Sequence, residues 1–177
     1  MSTRREAYTK PEINDKSFLV ELKFKDWLDK HEIPYWYISQ DYESFSRALR
    51  KYMAKRPDFM ILIPEFGFFL VDAEYKNPHP GFETFAIDVE ETIKYSSLQR
   101  YFNLRVWYVF SSEKYHFKTW FWAPVSRVLE IGKTEKKFSR ETGKEFFAIP
   151  IDQFVQVADS DDLTRLFKCF LSKRWET

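Results

Sequence analysis

This 177-residue sequence predicts an α/β fold, a mixed sheet with helices packed against it. Three observations carry that expectation. Segments with helical periodicity alternate with short runs of β-branched and aromatic residues, in the order α-β-α-β-β-α-β with more strands behind. Hydrophobic residues make up 44% and aromatics 20% of the chain, enough to fill a core. The stretch DFMILIPEFGFFLVDAEYK reads as two apolar strands joined by a turn at Gly67.

Residues 1–13 read as a polar arm, and 14–177 as one domain. A first helix is expected from about Asp15 to Lys30, with Asn14 or Asp15 as its cap and Pro34 past its end. IPYWYIS follows as a short aromatic strand. A second helix is opened by Asp41 or Ser44 and runs toward Lys55, stopped by Pro57. After the two-strand hairpin comes a proline-rich loop, NPHPGFETF, then a helix from about Ile87 to Phe102. RVWYVFS, KTWFWAPV, SRVLEI and EFFAIPI read as strands, and a helix from about Asp161 to Ser172 closes the chain.

Composition narrows the setting. A single cysteine, Cys169, excludes an intramolecular disulfide and a cysteine-based zinc site. No stretch approaches the length of a membrane span, and MSTRREAYTK lacks the apolar core of a signal peptide, so a soluble cytoplasmic protein is expected. The 28 Lys+Arg nearly balance 27 Asp+Glu, so global charge neither supports nor opposes a nucleic-acid partner. His31, His79 and His116 have no metal-ligand spacing, and there is no glycine-rich phosphate loop.

The chemistry concentrates where the second strand of the hairpin runs into Asp72, Glu74 and Lys76. Buried charge is expensive unless paired or bound to metal. Glu-x-Lys occurs three times, at Glu21–Lys23, Glu74–Lys76 and Glu135–Lys137. Side chains two apart share a face on a strand and diverge on a helix. Glu21 and Lys23 fall on a helix, and Glu135 and Lys137 in a charged, turn-like stretch. Only Glu74 and Lys76 end an apolar strand, with Asp58 opening the strand beside it.

Pro57-Asp58 followed by Glu74-Tyr75-Lys76 resembles the PD-(D/E)XK nuclease superfamily, which has the restriction-endonuclease-like fold. The resemblance covers roughly residues 15 to 112 and implies an α-β-β-β-α-β core and a metal-dependent nuclease. DNA is the first substrate expected and RNA the second. Asp58 and Glu74 would bind Mg²⁺, or Mn²⁺ in its place, with the Tyr75 carbonyl as a further ligand. Lys76 would orient the attacking water. The family often adds a glutamate from the first helix, here Glu21, and a residue from the helix after the motif. In that helix Gln99 and Tyr95 lie one turn apart on one face, beside Lys94. The Q-x-x-x-Y signature of the exonuclease-like branch is absent.

Substrate contact is expected from Arg47, Arg50, Lys51 and Lys55, which fall on one face of the second helix opposite Phe45, Ala48, Leu49, Tyr52 and Met53. GKTEKKFSRETGK reads as a basic hairpin or loop. A homodimer would suit double-strand cleavage. Against the enzyme stand two alternatives: a nuclease-like module that binds nucleic acid or a protein without cutting, and an ion-pair cluster with a purely structural task.

Overall fold

The computed structural model describes residues 16–40, 46–52, 55–64 and 66–171, with side chains as far as 167. In chain order the elements are α1 (Lys16–Lys30), β1 (Tyr35–Tyr37), α2 (Arg47–Lys51), β2 (Phe59–Ile63), β3 (Gly67–Tyr75), β4 (Thr84–Asp88) and α3 (Val89–Phe102). There follow β5 (Arg105–Ser111), β6 (Trp120–Pro124), α4 (Val125–Gly132), β7 (Lys136–Phe138), β8 (Glu145–Pro150), β9 (Val155–Val157) and α5 (Thr164–Leu171). Six strands form a mixed sheet in the order β1-β2-β3-β5-β6-β9, with β3 and β5 parallel and the other pairs antiparallel. A second, three-stranded sheet has the order β4-β8-β7. The α-β-β-β-α-β core expected from the motif is present as α1, β1, β2, β3, α3 and β5, with α2 and β4 added between its members.

Alternation along β3 divides the interior in two. Phe69, Val71 and Ala73 face α1, where Val20, Phe24, Trp27 and Leu28 pack on them. Phe24 makes edge-on ring contacts with Phe59, Trp120 and Trp122 at 4.8–5.7 Å between centroids. On the opposite face Leu70 joins Val106, Tyr108 and Phe110 beneath α3, α4 and the small sheet, which contributes Phe85, Ile87, Phe147 and Ile149. The second face of β3 thus begins apolar at Leu70 and turns acidic at Asp72 and Glu74.

The structure corrects the sequence expectation in several places. SRVLEI is not a strand but most of α4: Val125, Val128 and Gly132 are its buried positions, a helical spacing that so short a segment does not reveal. The helix expected from Ile87 begins at Val89, because Asp88 caps it, its carboxylate accepting the Glu91 N–H at 3.1 Å. Thr84–Asp88 instead form β4, paired with β8 far along the chain. The second helix is confined to Arg47–Lys51, capped by Ser46, and buries none of its residues. Its expected openers Asp41 and Ser44, and Phe45 and Met53 of its apolar side, lie outside the described residues, as does the 1–13 arm. The basic stretch does form a hairpin, β7 to β8. Among the described residues no helix is long and apolar enough to cross a membrane.

Gly132, the last residue of α4, lies against the Phe147 ring: an added Cβ would stand 2.4 Å from it. Phe147 is buried, so its ring must shift to admit the Cβ. Gly132→Ala is therefore expected to destabilise the fold by about 1–3 kcal/mol, read as a lower urea midpoint at unchanged m-value.

Candidate active site

The site is built at the end of β3 by a strand that stops early. The β2–β3 ladder closes with Phe59 opposite Val71. One residue earlier, the Asp58 N–H donates to the Val71 carbonyl at 2.9 Å. The ladder is then continued by a side chain, as Asp58 Oδ2 accepts the Ala73 N–H at 2.8 Å. Val71 and Ala73 thus turn their main-chain polar groups toward β2, and strand alternation puts the Tyr75 carbonyl on the same side, beyond the last β2 partner. Lys76 N–H bonds to the β5 side, at Ser111 O. Main-chain geometry therefore directs the Asp58 carboxylate and the Tyr75 carbonyl to one edge.

Asp72, Glu74 and Lys76 share the α3 face. Glu74 Oε2 lies 2.9 Å from the Lys76 ammonium, which also donates to the Ala86 carbonyl at 3.0 Å. Glu74 Oε1 is buried with no N–H or hydroxyl partner. The group able to donate to it is the Asp72 carboxyl, provided that carboxyl carries a proton. Burial and the Glu74 charge together push Asp72 well above the usual carboxylate range, whereas Lys76, the Asp72 hydrogen bond and Lys55 hold Glu74 below it against its own burial. One proton shared by two carboxyls is the pattern like charges produce at close range.

Asp58 is also crowded. Burial and the Glu21 charge raise it to about 7, against the opposing pull of the Ala73 N–H and Lys55. Glu21 approaches from α1, on the other side of the sheet, and its Oε2 accepts the Tyr37 hydroxyl at 2.6 Å. Asp58 Oδ1 accepts from Gln40 Nε2 at 3.2 Å, and Gln40 is fixed in turn by Arg56, whose Nε donates to its Oε1 at 3.0 Å.

Of the residues singled out in the sequence, the structure brings Asp58, Glu74, Lys76 and Glu21 to one end of the sheet. It does not bring Gln99 there. Gln99 Oε1 accepts the Val106 N–H at 2.9 Å, and Val106 stands opposite Leu70, two places before Asp72 on β3. Tyr95, one turn earlier, does reach the cluster, its hydroxyl donating to Asp72. Lys55 also departs from expectation. It is not on the α2 face but in the cluster, 3.2 Å from Glu91 Oε1 and 3.5 Å from Asp72 Oδ2, above the Tyr95 ring. Burial disfavours its charge, yet Asp72, Glu74 and Glu91 outweigh it and hold the ammonium above its usual range. Arg47 and Lys51 are exposed on α2, with Arg50 half-buried. Lys94 pairs with Glu90 on the helix surface at 2.6 Å.

Asp72, Gln40 and Tyr95 thus complete the cluster. Asp72 had a visible signal, sharing the strand face of Glu74; Gln40 had none. The contrast with Gln99 is testable. Gln99→Ala is expected to leave any chemical step unchanged while costing about 1 kcal/mol of stability for the orphaned Val106 N–H, separable by single-turnover rates and urea denaturation.

Five carboxyls (Glu21, Asp58, Asp72, Glu74, Glu91) face two ammonium groups (Lys55, Lys76), leaving excess negative charge. Those are conditions that suit a divalent cation. Among the described residues no three such side chains are arranged to enclose an ion by themselves. A cation there would draw on two carboxylates, a carbonyl and water.

No protein-family model matches the chain, and no curated protein sequence matches it significantly. Among solved structures it is similar to Hjc, a Holliday junction resolvase from Archaeoglobus fulgidus, at 11% identity and a TM-score of 0.46, over 84% of this chain and 87% of that one. It is also similar to D212, a nuclease from a fusselovirus, at 13% identity and a TM-score of 0.48, over 94% and 99% of the two chains.

Proposed function

We propose that this protein is a metal-dependent nuclease that hydrolyses phosphodiester bonds in DNA. The observation that supports this best is the end of β3: a buried carboxylate that shares a proton with Asp72, a second carboxylate raised by burial and Glu21, and a lysine on the same face. Asp58 and Glu74 would hold Mg²⁺ or Mn²⁺ with the Tyr75 carbonyl, and Glu21 would reach it through water. When bound, the ion supplies Lewis acidity and a more acidic water. Lys76 carries three N–H groups, of which two are engaged by Glu74 and Ala86; the third is left to align the water and neutralise charge developing at phosphorus. Asp72, tied by Tyr95 and Lys55, positions Glu74. Arg47 and Lys51 would contact phosphates.

The competing reading is binding without cutting. The observation on its side is that Glu74 and Asp72 already have lysine partners, which satisfy part of their charge without metal. A cleavage panel of linear, circular, single-stranded and branched DNA, with RNA alongside, in Mg²⁺ or Mn²⁺ decides between them. Turnover with either ion and none in calcium is expected, because the larger ion holds the water loosely. Binding without turnover across the panel would overturn the enzyme reading.

A further inference from the structure

A groove of about 580 Å³ opens beside Lys76, over the outer face of the small sheet. Its floor is made of small residues, Ala86 and Ala148, which stand opposite each other in the β4–β8 register. Two aromatic rings line it while remaining largely exposed, Phe82 at 67% and Phe138 at 62%. Lys137 Nζ lies 5.9 Å from the centre of the Phe82 ring, and His79 packs edge-on against that ring at 5.2 Å. The groove is joined to the carboxylate cluster by one bond, from Lys76 Nζ to the Ala86 carbonyl.

Charge distinguishes what could lie there. Lys76, Lys137 and Lys144 line the groove together with Asp88, Glu141 and Glu145, and Lys144 is paired with Asp88 at 3.3 Å. Formal charge therefore cancels, which makes a poor track for a phosphate backbone. A floor of small side chains, two largely exposed rings and no net charge suit a neutral aromatic ring system instead. We propose that this groove receives an unstacked nucleobase next to the scissile phosphate, so that the preferred substrate has a single-stranded or frayed segment at the cut. The proposal rests on the nuclease reading for its orientation, since Lys76 is the link between the two. A continuous duplex keeps its bases stacked and would have to extrude one to fill the groove.

The test is binding, measured in calcium by fluorescence anisotropy, of three labelled DNAs: a single strand, a duplex with a single-stranded flap, and a continuous duplex. The double variant Phe82→Ala/Phe138→Ala is expected to bind the single strand and the flap about tenfold or more weakly than wild type, with duplex affinity unchanged. Both side chains are exposed, so folding should survive; Phe82→Tyr/Phe138→Tyr, which keeps two rings, should restore the affinity. Equal losses on all three DNAs, or none on any, would overturn the proposal. A wild type that cuts nothing, yet loses single-strand affinity with the two rings, would sink the nuclease reading and leave the groove standing. A wild type that cuts, with both double variants binding like it, would do the reverse.

Discussion

Glu74→Ala is expected to reduce cleavage on the order of a thousandfold or more while the protein stays folded. Glu74 is the buried carboxylate between Asp72 and Lys76, and its loss would remove a proposed ligand and the acceptor that orients Lys76. Asp58→Ala should match it in activity. It should also lose stability, because the Ala73 N–H would be left without its acceptor. Lys76→Ala should be as inactive as either, yet bind Mn²⁺ as wild type does, since an ammonium is no ligand. Glu21→Gln should lie between, slower by about tenfold, as befits a group acting through water. Single-turnover rates with Mn²⁺ titrations separate the four. Wild-type rates in Glu74→Ala would return the cluster to a structural task.

Stability of the metal-free protein is expected to fall as pH rises from about 4 to about 7. Asp58 holds its proton more tightly in the folded chain, where burial and Glu21 raise it to about 7, than in the unfolded chain at the usual value of 3.8. The stabilisation from that proton is complete below the unfolded value and is lost as pH climbs through the folded one. The raised Asp72 works in the same direction. The expected change is a few kcal/mol. Asp58→Asn, which stays neutral, should flatten the profile and outlast wild type above pH 7 in EDTA. Saturating Mn²⁺ should reverse the trend in wild type, because the ion binds the deprotonated carboxylate. Urea denaturation at several pH values, with EDTA and with Mn²⁺, reads both. A flat wild-type profile in EDTA would mean that Asp58 is not crowded as its surroundings imply.

What could be read in the sequence was what depends on neighbours along the chain. Strand parity put Asp72, Glu74 and Lys76 on one face, and a turn at Gly67 set Asp58 on the adjacent strand. The misreadings share a dependence on partners far along the chain. Gln99 and Tyr95 occupy the same side of α3, and which of them meets the acids is decided by the alignment of β5 with β3. Lys55 looked like the last basic residue of a helix because nothing local marks the end of that helix at Lys51. Thr84–Asp88 became a strand because β8 is there to receive it.

That last pairing also governs how the protein comes into being. On the ribosome β4 emerges more than sixty residues ahead of β8, a wait of several seconds at roughly 5–20 residues per second. Throughout it the edge of β4 that β8 will pair has no strand on it, whereas α1, β1, β2, β3, α3 and β5 are all in hand by Ser111. The acidic cluster can therefore assemble while its neighbouring groove does not yet exist. The newborn chain spends that interval as its most adhesive form, and a chaperone that holds β4 would act on the half of the molecule proposed to choose the substrate.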